Sequence, residues 1–343
     1  MKRFGNTLYV TTQKIYVRQD GTNLVFSLDG TDKFRTPIHT LDGVVAFGAV
    51  SWSPFALGLC AENGVAVSML TENGKFLARV VGPQSGNVLL RRAQHRRTTA
   101  PETAAEAARA FVSAKIANAR VVLQRAVRDR GAQTNVDALE RAAQKLSRSI
   151  FDLTRSTTVA QIRGVEGDAA RTYFSVFNEL IVAQKDAFVF RERSRRPPLD
   201  PINALLSFLY VLLAHDLRSA CETVGLDPQL GFLHADRSGR ASLALDLTEE
   251  FRPWLADRLA LSLINRRQID PRGFERSESG AVVMSDATRK TVLTAWQERK
   301  RDELQHPFLG EKVPIGLLPL VQARLLAKWL RGELDAYPAF FWK

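Results

Sequence analysis

Short runs of β-branched and aromatic residues, separated by turn signals, fill the first eighty positions of the chain. Five runs stand out: LYVTT, KIYVRQ, NLVFSL, GVVAF and GVAVSML. Asp-Gly pairs follow the second and third runs, and such a pair between alternating hydrophobic runs is a strong hairpin signal. The uncharged stretch 43–61 contains Gly and Pro, and its pattern indicates a strand, a turn and a short helix. We therefore expect a small β domain over residues 1–80.

The pattern changes after a short segment that carries Gly and Pro, so residues 81–95 are predicted to be a linker. Beyond it, apolar residues recur every three to four positions, which is the spacing of amphipathic helices. The stretches with this spacing are Pro101–Arg130, Val136–Arg155, 165–182, Pro201–Val224, 248–265, 286–304 and 316–334. The predicted fold class is α+β by segregation, with the small N-terminal β domain followed by a larger all-α domain over residues 96–343.

The charge of the chain points to a polyanionic partner. The 343 residues carry a formal net charge of +12, and only 8 of the 48 Lys and Arg and 6 of the 36 Asp and Glu precede residue 86. A basic excess of this size favours nucleic acid or an anionic surface, although any single basic cluster is more often a solvated face. The candidate nucleic-acid contacts are Arg91, Arg92, Arg96, Arg97, Arg193, Arg195, Arg196, Arg237, Arg240, Arg289 and Lys300.

Other features narrow the function class and the compartment. Cys60 and Cys221 are far apart and lack zinc-site spacing, which disfavours a disulfide framework and a zinc module. The N-terminus has no apolar signal core and the apolar run 205–214 is too short to cross a bilayer, so we expect a cytoplasmic protein with no membrane partner. The absence of a Walker-type loop and of a GxSxG elbow disfavours ATP hydrolysis and serine-type hydrolysis.

Glu166 is a carboxylate on an otherwise apolar helical stripe, since its neighbours at plus four, seven and eleven are Ala170, Tyr173 and Phe177. A charged carboxylate there costs on the order of several kcal/mol unless a metal, a cation or hydrogen bonds compensate it. The alternative is that Glu166 lies in the first turn of a helix, where acids favour the helix dipole and reach water.

His234 and two later acids form the second candidate group. His234 ends the apolar run LGFLH, which precedes the polar turn ADRSGR and the run ASLALDL, so we expect it at the mouth of a hairpin. A lone histidine in that place is more often structural. Asp246 and Glu249 follow twelve and fifteen residues later and share a helix face. The alternative for this pair is a capping arrangement at a helix start.

A convergence of Glu166, His234 and one of Asp246 and Glu249 would give a hard donor set suited to Mg²⁺ or Mn²⁺. Next to a basic surface, such a site polarises a phosphoryl oxygen and activates a water or a 3′-hydroxyl. A polar stripe on an apolar helix is a candidate row behind the ligands or facing phosphate, although such residues more often satisfy buried groups. Its members are Asn203, Ser207 and Tyr210.

Five segments together resemble the CRISPR-associated endonuclease/integrase of spacer acquisition, protein one of the adaptation pair. They are CAENGVAVSML, RGVEGDAARTYF, DPINALLSFLY, VGLDPQLGFLHADRSGRASLALDLTEEFRP, and the closing HPFLGEKVPIG with VQARLLAKWLRGELDAYPAFFW. The resemblance covers almost the whole chain, and its GFLH…DLTEEFRP block is the most specific part. The closing segments look most like members from type I-C systems. The chain departs from the family at Glu249, where others often carry Asp, and at Leu209, where many carry Gly.

The resemblance implies a helical catalytic domain, a homodimer joined through the β domains, and assembly with a small second adaptation protein. It implies that this complex inserts short DNA segments into a repeat array. The metal ligands that it implies are Glu166, His234 and, by position, Glu249, with Asp246 alongside. Two other functions remain open on the sequence: a stand-alone metal-dependent nuclease for branched DNA or RNA, and a non-catalytic nucleic-acid-binding subunit.

Overall fold

The computed structural model describes residues 7–41, 43–72, 76–80, 82 and 88–342. The chain divides into two compact units. The first comprises Met1–Gly86, Gln297–Asp302 and Pro314–Leu317; the second comprises Asn87–Trp296, Glu303–Val313 and Leu318–Lys343. The first unit thus includes two short segments from the region 96–343, which the sequence pattern assigned entirely to the helical domain.

The first unit contains two four-stranded sheets and a helix. Its elements are β1 (Thr7–Val10), β2 (Ile15–Asp20), β3 (Asn23–Leu28), β4 (Thr31–Pro37), β5 (Gly43–Phe47), β6 (Val50–Trp52), α1 (Pro54–Glu62), β7 (Ala66–Leu70) and β8 (Phe76–Val80). One sheet has the order β1-β5-β7-β8, with β8 antiparallel to β7 and the other pairs parallel. The other has the order β4-β3-β2-β6, in which only the β2–β6 pair is parallel.

The alternating pattern of the first eighty residues produces this unit in the expected way. β2 and β3 form the predicted hairpin, and Gly21 in its turn has a φ of 58°, which L-residues rarely adopt. Val17 pairs with Phe26 across the hairpin, and both side chains are buried in a core that also contains Val44 and Val67. The stretch 43–61 is a strand, a short strand and a helix, close to the prediction.

The second unit is mostly helical. Its helices are α2 (Val88–Thr99), α3 (Pro101–Arg130), α4 (Val136–Arg155), α5 (Val159–Ser175), α6 (Pro201–Val224), α7 (Ser242–Thr248), α8 (Arg258–Asn265), α9 (Asp286–Arg301, of which Asp286–Trp296 belong to this unit) and α10 (Leu318–Leu330). A π-helical stretch, Arg252–Asp257, precedes α8. Two short hairpins consist of β9 (Phe274–Arg276) with β10 (Val282–Met284) and β11 (Glu303–Gln305) with β12 (Lys312–Pro314). The predicted fold class, strands first and a mostly helical region after them, is confirmed.

Helix α3 is the central element of the second unit. It begins with Pro101 in its first turn, where a missing N–H costs nothing, and it packs against α4 and α5. Ala105, Ala107 and Ala108 are almost fully buried on it, and such small side chains allow neighbouring helices to approach closely. The functional side chains described below come from α3, from α5 and from the chain around α7.

The predicted linker and the predicted hairpin after His234 both differ from the structure. Of the predicted linker 81–95, residues 81 and 83–87 lie outside the described residues, and residues 88–95 belong to α2. The predicted hairpin after His234 is wrong, because ASLALDL contains α7 instead of a strand. A short alternating run of Ala and Leu does not distinguish helix from strand by periodicity alone, and both residues are strong helix formers.

Helix α6 has the length and the apolar composition that a membrane span would need, and it is the one helix of the described residues that meets this test. More than half of the relevant window is buried inside the structure. Its inward side chains include Leu205, Leu209, Leu213 and Leu217, all fully buried, and it packs against α7 and α10. A buried core helix satisfies the same length and composition criteria.

Candidate active site

Two acids of the predicted site meet at a single lysine. Lys115 on α3 forms an ion pair with Oε1 of Glu166 on α5, and its Nζ lies 2.7 Å from Oε2 of Glu249. The side chains of Lys115, Glu166 and Glu249 are 13%, 26% and 3% exposed. The two carboxylates therefore converge on one cationic position at the edge of the core.

Glu166 lies in the interior of its helix. Helix α5 begins at Val159 after a complete capping box, in which Thr158 and Gln161 each bond the backbone of the other. This start is about two turns before Glu166. The first-turn interpretation of this acid is therefore wrong, and the ion pair with Lys115 is what compensates its charge.

Glu249 is held between two cations. Its Oε1 lies 2.6 Å from NH1 of Arg252, and its Oε2 faces Lys115. Burial raises the pKa of the Glu249 carboxyl, but the charges of Arg252 and Lys115 outweigh burial and leave this pKa at about 2. Burial also lowers the pKa of Lys115, yet Glu249 and Glu166 raise it above its ordinary value. All three groups of this cluster, Glu249, Lys115 and Arg252, are therefore ionised at neutral pH.

Asp246 performs a different task from Glu249, although the two are only three residues apart. It is completely buried, and its Oδ2 accepts the backbone N–H groups of Phe232 (2.6 Å) and Leu233 (3.0 Å). Its Oδ1 accepts the backbone N–H of His234 (2.9 Å) and lies 2.7 Å from Nδ1 of the same residue. An ionised carboxylate only accepts, so Nδ1 carries the proton and the lone pair of the imidazole is on Nε2. Asp246 thus orients His234, and no side-chain cap of a helix is involved.

The turn that carries His234 is fixed by two further residues. Nε of Arg163, one turn before Glu166 on α5, donates to the carbonyl of Leu233 at 2.6 Å. Gly231 lies so close to α7 that an added Cβ would stand 2.7 Å from Cβ of Ser242 and 3.0 Å from Oδ2 of Asp246. The backbone around His234 is therefore tied both to the helix of Glu166 and to the helix of Asp246.

The predicted polar stripe of α6 organises arginines. Asn203 Oδ1 and Ser207 Oγ accept from NH1 and NH2 of Arg193 at 2.6 and 3.2 Å. The guanidinium of Arg193 lies 5.3 Å from the ring centre of Tyr210, and that of Arg252 lies 4.8 Å from it. Tyr210 of this stripe thus packs against the guanidinium of Arg252, which in turn forms the ion pair with Glu249.

Among the described residues, no group of three or more His, Cys, Asp and Glu side chains is arranged as a ready-made metal cage. The donor set nevertheless fits a hard divalent cation, because the carboxylates of Glu166 and Glu249 face one position, which the ammonium of Lys115 occupies in the structure. Glu249 Oε2 is buried, and its partner in the structure is the Lys115 ammonium at 2.7 Å.

The predicted nucleic-acid contacts separate by exposure. Exposed side chains are Arg92, Arg96, Arg195, Arg196 and Arg237, and partly buried ones are Arg91, Arg97, Arg193 and Arg240. Arg97 stacks over the buried ring of Trp329 at 4.4 Å, which is a structural contact. Arg289 and Lys300 are only 7% and 6% exposed, so the structure contradicts the prediction that they form part of an exposed basic surface. Arg289 is instead paired with Asp286, one turn away in a helix.

Sequence patterns missed Lys115, Arg252 and Arg163. A signal for Lys115 was present, since Lys115 and Asn118 interrupt the apolar face of a 30-residue helix. Asn118 is fully buried and donates to the carbonyls of Glu250 (2.7 Å) and Phe340 (2.9 Å), and its side-chain oxygen accepts the N–H of Trp342 (2.7 Å). The C-terminal residues Phe340 and Trp342 are therefore held beside α3 and Glu250.

Comparison with known proteins gives a consistent result. The family model for "CRISPR associated protein Cas1" matches residues 8–298. The chain is 54% identical over 343 residues to the CRISPR-associated endonuclease Cas1 1 of Chlorobaculum tepidum, with 100% of each chain covered. Its fold resembles a casposase bound to integration product (TM-score 0.83, 23% identity, 98% of this chain and 94% of the other). It also resembles a chain of a Cas6-RT-Cas1–Cas2 complex (TM-score 0.84, 23% identity, 100% of this chain and 36% of the other).

A β unit followed by a helical unit with a carboxylate pair, a histidine and basic residues defines a class of phosphodiester-processing protein. The chain belongs to the CRISPR-associated Cas1 family. The resemblance drawn from its segments is confirmed at the level of the family, and with it the expectation of an endonuclease/integrase type of enzyme.

Proposed function

We propose that the protein is the metal-dependent integrase of CRISPR adaptation, and that it inserts short DNA segments into a repeat array. The observation that carries the proposal is the convergence of Glu166 and Glu249 on one cationic position. The turn that carries His234 is tied to the helix of Glu166 through Arg163, and the lone pair of its imidazole is on Nε2. The name endonuclease carried by relatives of about half-identical sequence supports it.

The proposed metal ligands are Glu166, His234 through Nε2, and Glu249, with Mg²⁺ or Mn²⁺ as the ion. Asp246 is assigned the supporting role, because four hydrogen bonds already occupy its oxygens. The bound ion would neutralise charge that develops on a phosphoryl oxygen. The ligand assignment replaces the open choice between Asp246 and Glu249 with Glu249.

The proposed reaction is a transesterification. The 3′-hydroxyl of a donor strand gives up its proton to solvent and its oxygen attacks a phosphorus of the target strand. A new phosphodiester forms, the bond from phosphorus to the target's 3′-oxygen breaks, and that oxygen leaves and takes up a proton from solvent, so no proton is gained or lost overall. One ester bond replaces another, so no ATP is required. Arg252 and the α6 stripe keep the Glu249 carboxylate ionised and in place during this exchange.

The proposed partners are double-stranded DNA, a second copy of the chain joined through the β units, and a small second adaptation protein. The exposed arginines of the second unit support DNA binding. Structures of similar fold carry the names casposase bound to integration product and Cas6-RT-Cas1–Cas2 complex, and these assemblies suggest the partners to look for. We also propose a cytoplasmic location. Membership of the type I-C branch is a further proposal, which the genes flanking the coding sequence would test.

A strand-transfer assay tests the function. A labelled donor duplex with free 3′-hydroxyls is incubated with supercoiled plasmid, the small second protein and Mn²⁺. Wild type should join donor to plasmid, whereas Glu166→Ala, His234→Ala and Glu249→Gln should bind DNA but not join it. A chelator should abolish joining, and Glu140→Ala, which removes an exposed acid of α4, should leave it intact.

The competing functions give different results in the same assay. Cleavage of branched DNA or RNA without covalent joining would favour a stand-alone nuclease. Joining that persists in the Glu166→Ala and His234→Ala variants would show that this site does no chemistry, and DNA binding with no metal-dependent activity in wild type would favour a non-catalytic subunit.

A further inference from the structure

Lys115 occupies a position that a metal-binding site does not ordinarily leave to a side chain. Its ammonium lies between the two carboxylates that we propose as metal ligands, paired with Glu166 Oε1 and 2.7 Å from Glu249 Oε2. A divalent ion that binds both carboxylates would need the same space. Two cations held within a few ångströms of each other repel strongly, so the ammonium and the divalent ion would not occupy this site together.

The charges around this position are balanced without a metal. Glu166 and Glu249 contribute two negative charges, and Lys115 and Arg252 contribute two positive charges within ion-pair distance of them. A neutral cluster attracts a divalent cation less strongly than a cluster with an excess of negative charge. Removal of the lysine charge alone would restore that excess and leave Arg252 on the other oxygen of Glu249.

The backbone of Lys115 is fixed by the packing of α3, and its side chain lies at the border of a small cavity. One turn further along α3, Asn118 donates to the carbonyl of Glu250, which anchors the helix beside Glu249 and Glu250. The cavity lies in the same unit and is lined in part by Tyr173, Tyr210 and Asp257. A lysine side chain is a flexible stem with a compact charge, so rotation about its own bonds is enough to withdraw the ammonium.

We propose that Lys115 is an internal counter-ion that holds the place of the divalent ion in the metal-free protein and must be displaced when the ion binds. This inference rests on the proposed metal site. It makes Lys115 a residue that lowers metal affinity while it stabilises the metal-free fold. The opposite role, a lysine that merely holds the carboxylates together for the ion, predicts that its loss weakens metal binding.

Mn²⁺ titration of the full chain, with free Mn²⁺ measured by electron paramagnetic resonance, tests the proposal. Lys115→Met should bind Mn²⁺ at least about tenfold more tightly than wild type, because one positive charge near the ion is gone. Lys115→Arg, which keeps the charge, and Lys145→Met, which removes an exposed lysine of α4, should stay close to wild type. Lys115→Gln carries the same expectation as Lys115→Met and replaces it if the latter does not fold.

Thermal unfolding supplies a second measurement that needs no catalysis. In chelator, Lys115→Met should melt below wild type, because the buried Glu249 loses a partner and faces Glu166 without a cation between them. Added Mn²⁺ should raise its melting temperature by more than it raises that of wild type.

The outcomes separate this inference from the function beneath it. Unchanged or weaker Mn²⁺ binding by Lys115→Met, with binding lost in Glu166→Ala, would overturn the counter-ion role and leave the metal site in place. Binding by wild type that is insensitive to Glu166→Ala would overturn both proposals.

Discussion

At the scale of single residues, two acids three positions apart differ because their surroundings differ. Asp246 has no exposed surface and accepts four hydrogen bonds, so its role is to fix the backbone and the ring orientation of His234. Glu249 has ion pairs with the side chains of Lys115 and Arg252 instead. Asp246 is a poor candidate ligand because four hydrogen bonds hold its oxygens. Glu249 is a better one, because its partners are side-chain cations.

Substitution of Asp246 by Asn should therefore act on the fold as well as on the reaction. Asn keeps one acceptor oxygen but turns an NH₂ group towards backbone donors, which leaves buried groups without partners. We expect a loss of about 2–3 kcal/mol in the free energy of unfolding, measured by urea titration, together with loss of DNA joining. Asp236→Asn, an exposed change in the same loop, should alter neither. Unchanged stability of Asp246→Asn would contradict the described hydrogen bonds.

The candidate residues Glu166, His234 and Glu249 could be found from the sequence because each is a ligand type set against an apolar pattern. The roles of Lys115 and of Asp246 could not. Lys115 is fifty-one residues from Glu166 along the chain, and only the packing of α3 on α5 brings them together. Whether Asp246 or Glu249 faces a metal depends on where the turn 231–234 lies, which no spacing rule specifies.

A buried acid beside the site makes stability depend on pH. Burial raises the pKa of Asp257 from its ordinary 3.8 to about 6, although the hydrogen bond from Tyr210 and the charges of Arg193 and Arg252 oppose the shift. The folded protein therefore binds one more proton than the unfolded chain between these values. The contribution of Asp257 to stability is present below pH 3.8 and is lost as the pH rises to about 6.

The variant Asp257→Asn isolates this contribution. The melting temperature of the variant minus that of wild type should be larger at pH 7.5 than at pH 4.5, because only wild type must keep a buried carboxylate charged at the higher pH. Scanning calorimetry at the two pH values measures the double difference. The same difference at both pH values would mean that Asp257 titrates normally in the folded state.

At the scale of elements, three of the long helices follow their sequence pattern closely, whereas the helix expected over 165–182 spans Val159–Ser175. The patterns of Pro101–Arg130, Val136–Arg155 and Pro201–Val224 coincide with α3, α4 and α6 to the residue. Each has a clear start signal and a long amphipathic or apolar repeat. The chain from Gly231 to Asn265 was predicted less well, because α7 is short and a π-helical stretch separates it from α8. Hydrogen bonds made by Asp246 and by the carbonyl of Glu250, and no local repeat, fix the course of this segment.

Gly231 tests how tightly that segment is packed. An Ala side chain there would collide with Ser242 and approach Asp246, so Gly231→Ala should lower the free energy of unfolding by about 1–3 kcal/mol and displace His234. Gly164 on α5 has nothing within 4 Å of its added Cβ, so Gly164→Ala should instead raise that energy by about 0.5–1 kcal/mol. Denaturant unfolding of the two variants measures this opposition in sign. Equal effects at both positions would show that contact with α7 does not decide the outcome.

At the scale of the whole molecule, charge and fold point to the same part of the chain. The excess of Lys and Arg lies almost wholly beyond residue 85, and the same region carries the acidic pair and His234. The total charge alone does not reveal which cations can reach DNA, because some are internal. Arg195 and Arg196 are exposed, whereas Arg289 is buried against the rest of its unit.

Salt dependence of DNA binding distinguishes these two groups of arginine. If Arg195 and Arg196 each neutralise a phosphate, the double variant to Ala should reduce the slope of log K against log salt by about 0.9 for each of the two phosphates. Arg289→Ala should leave the slope unchanged and lower the melting temperature instead, since it removes a buried charge from its ion pair with Asp286. Fluorescence anisotropy with a labelled duplex at several salt concentrations gives the slopes. A slope that falls in Arg289→Ala but not in the double variant would place the DNA path on a different face of the protein.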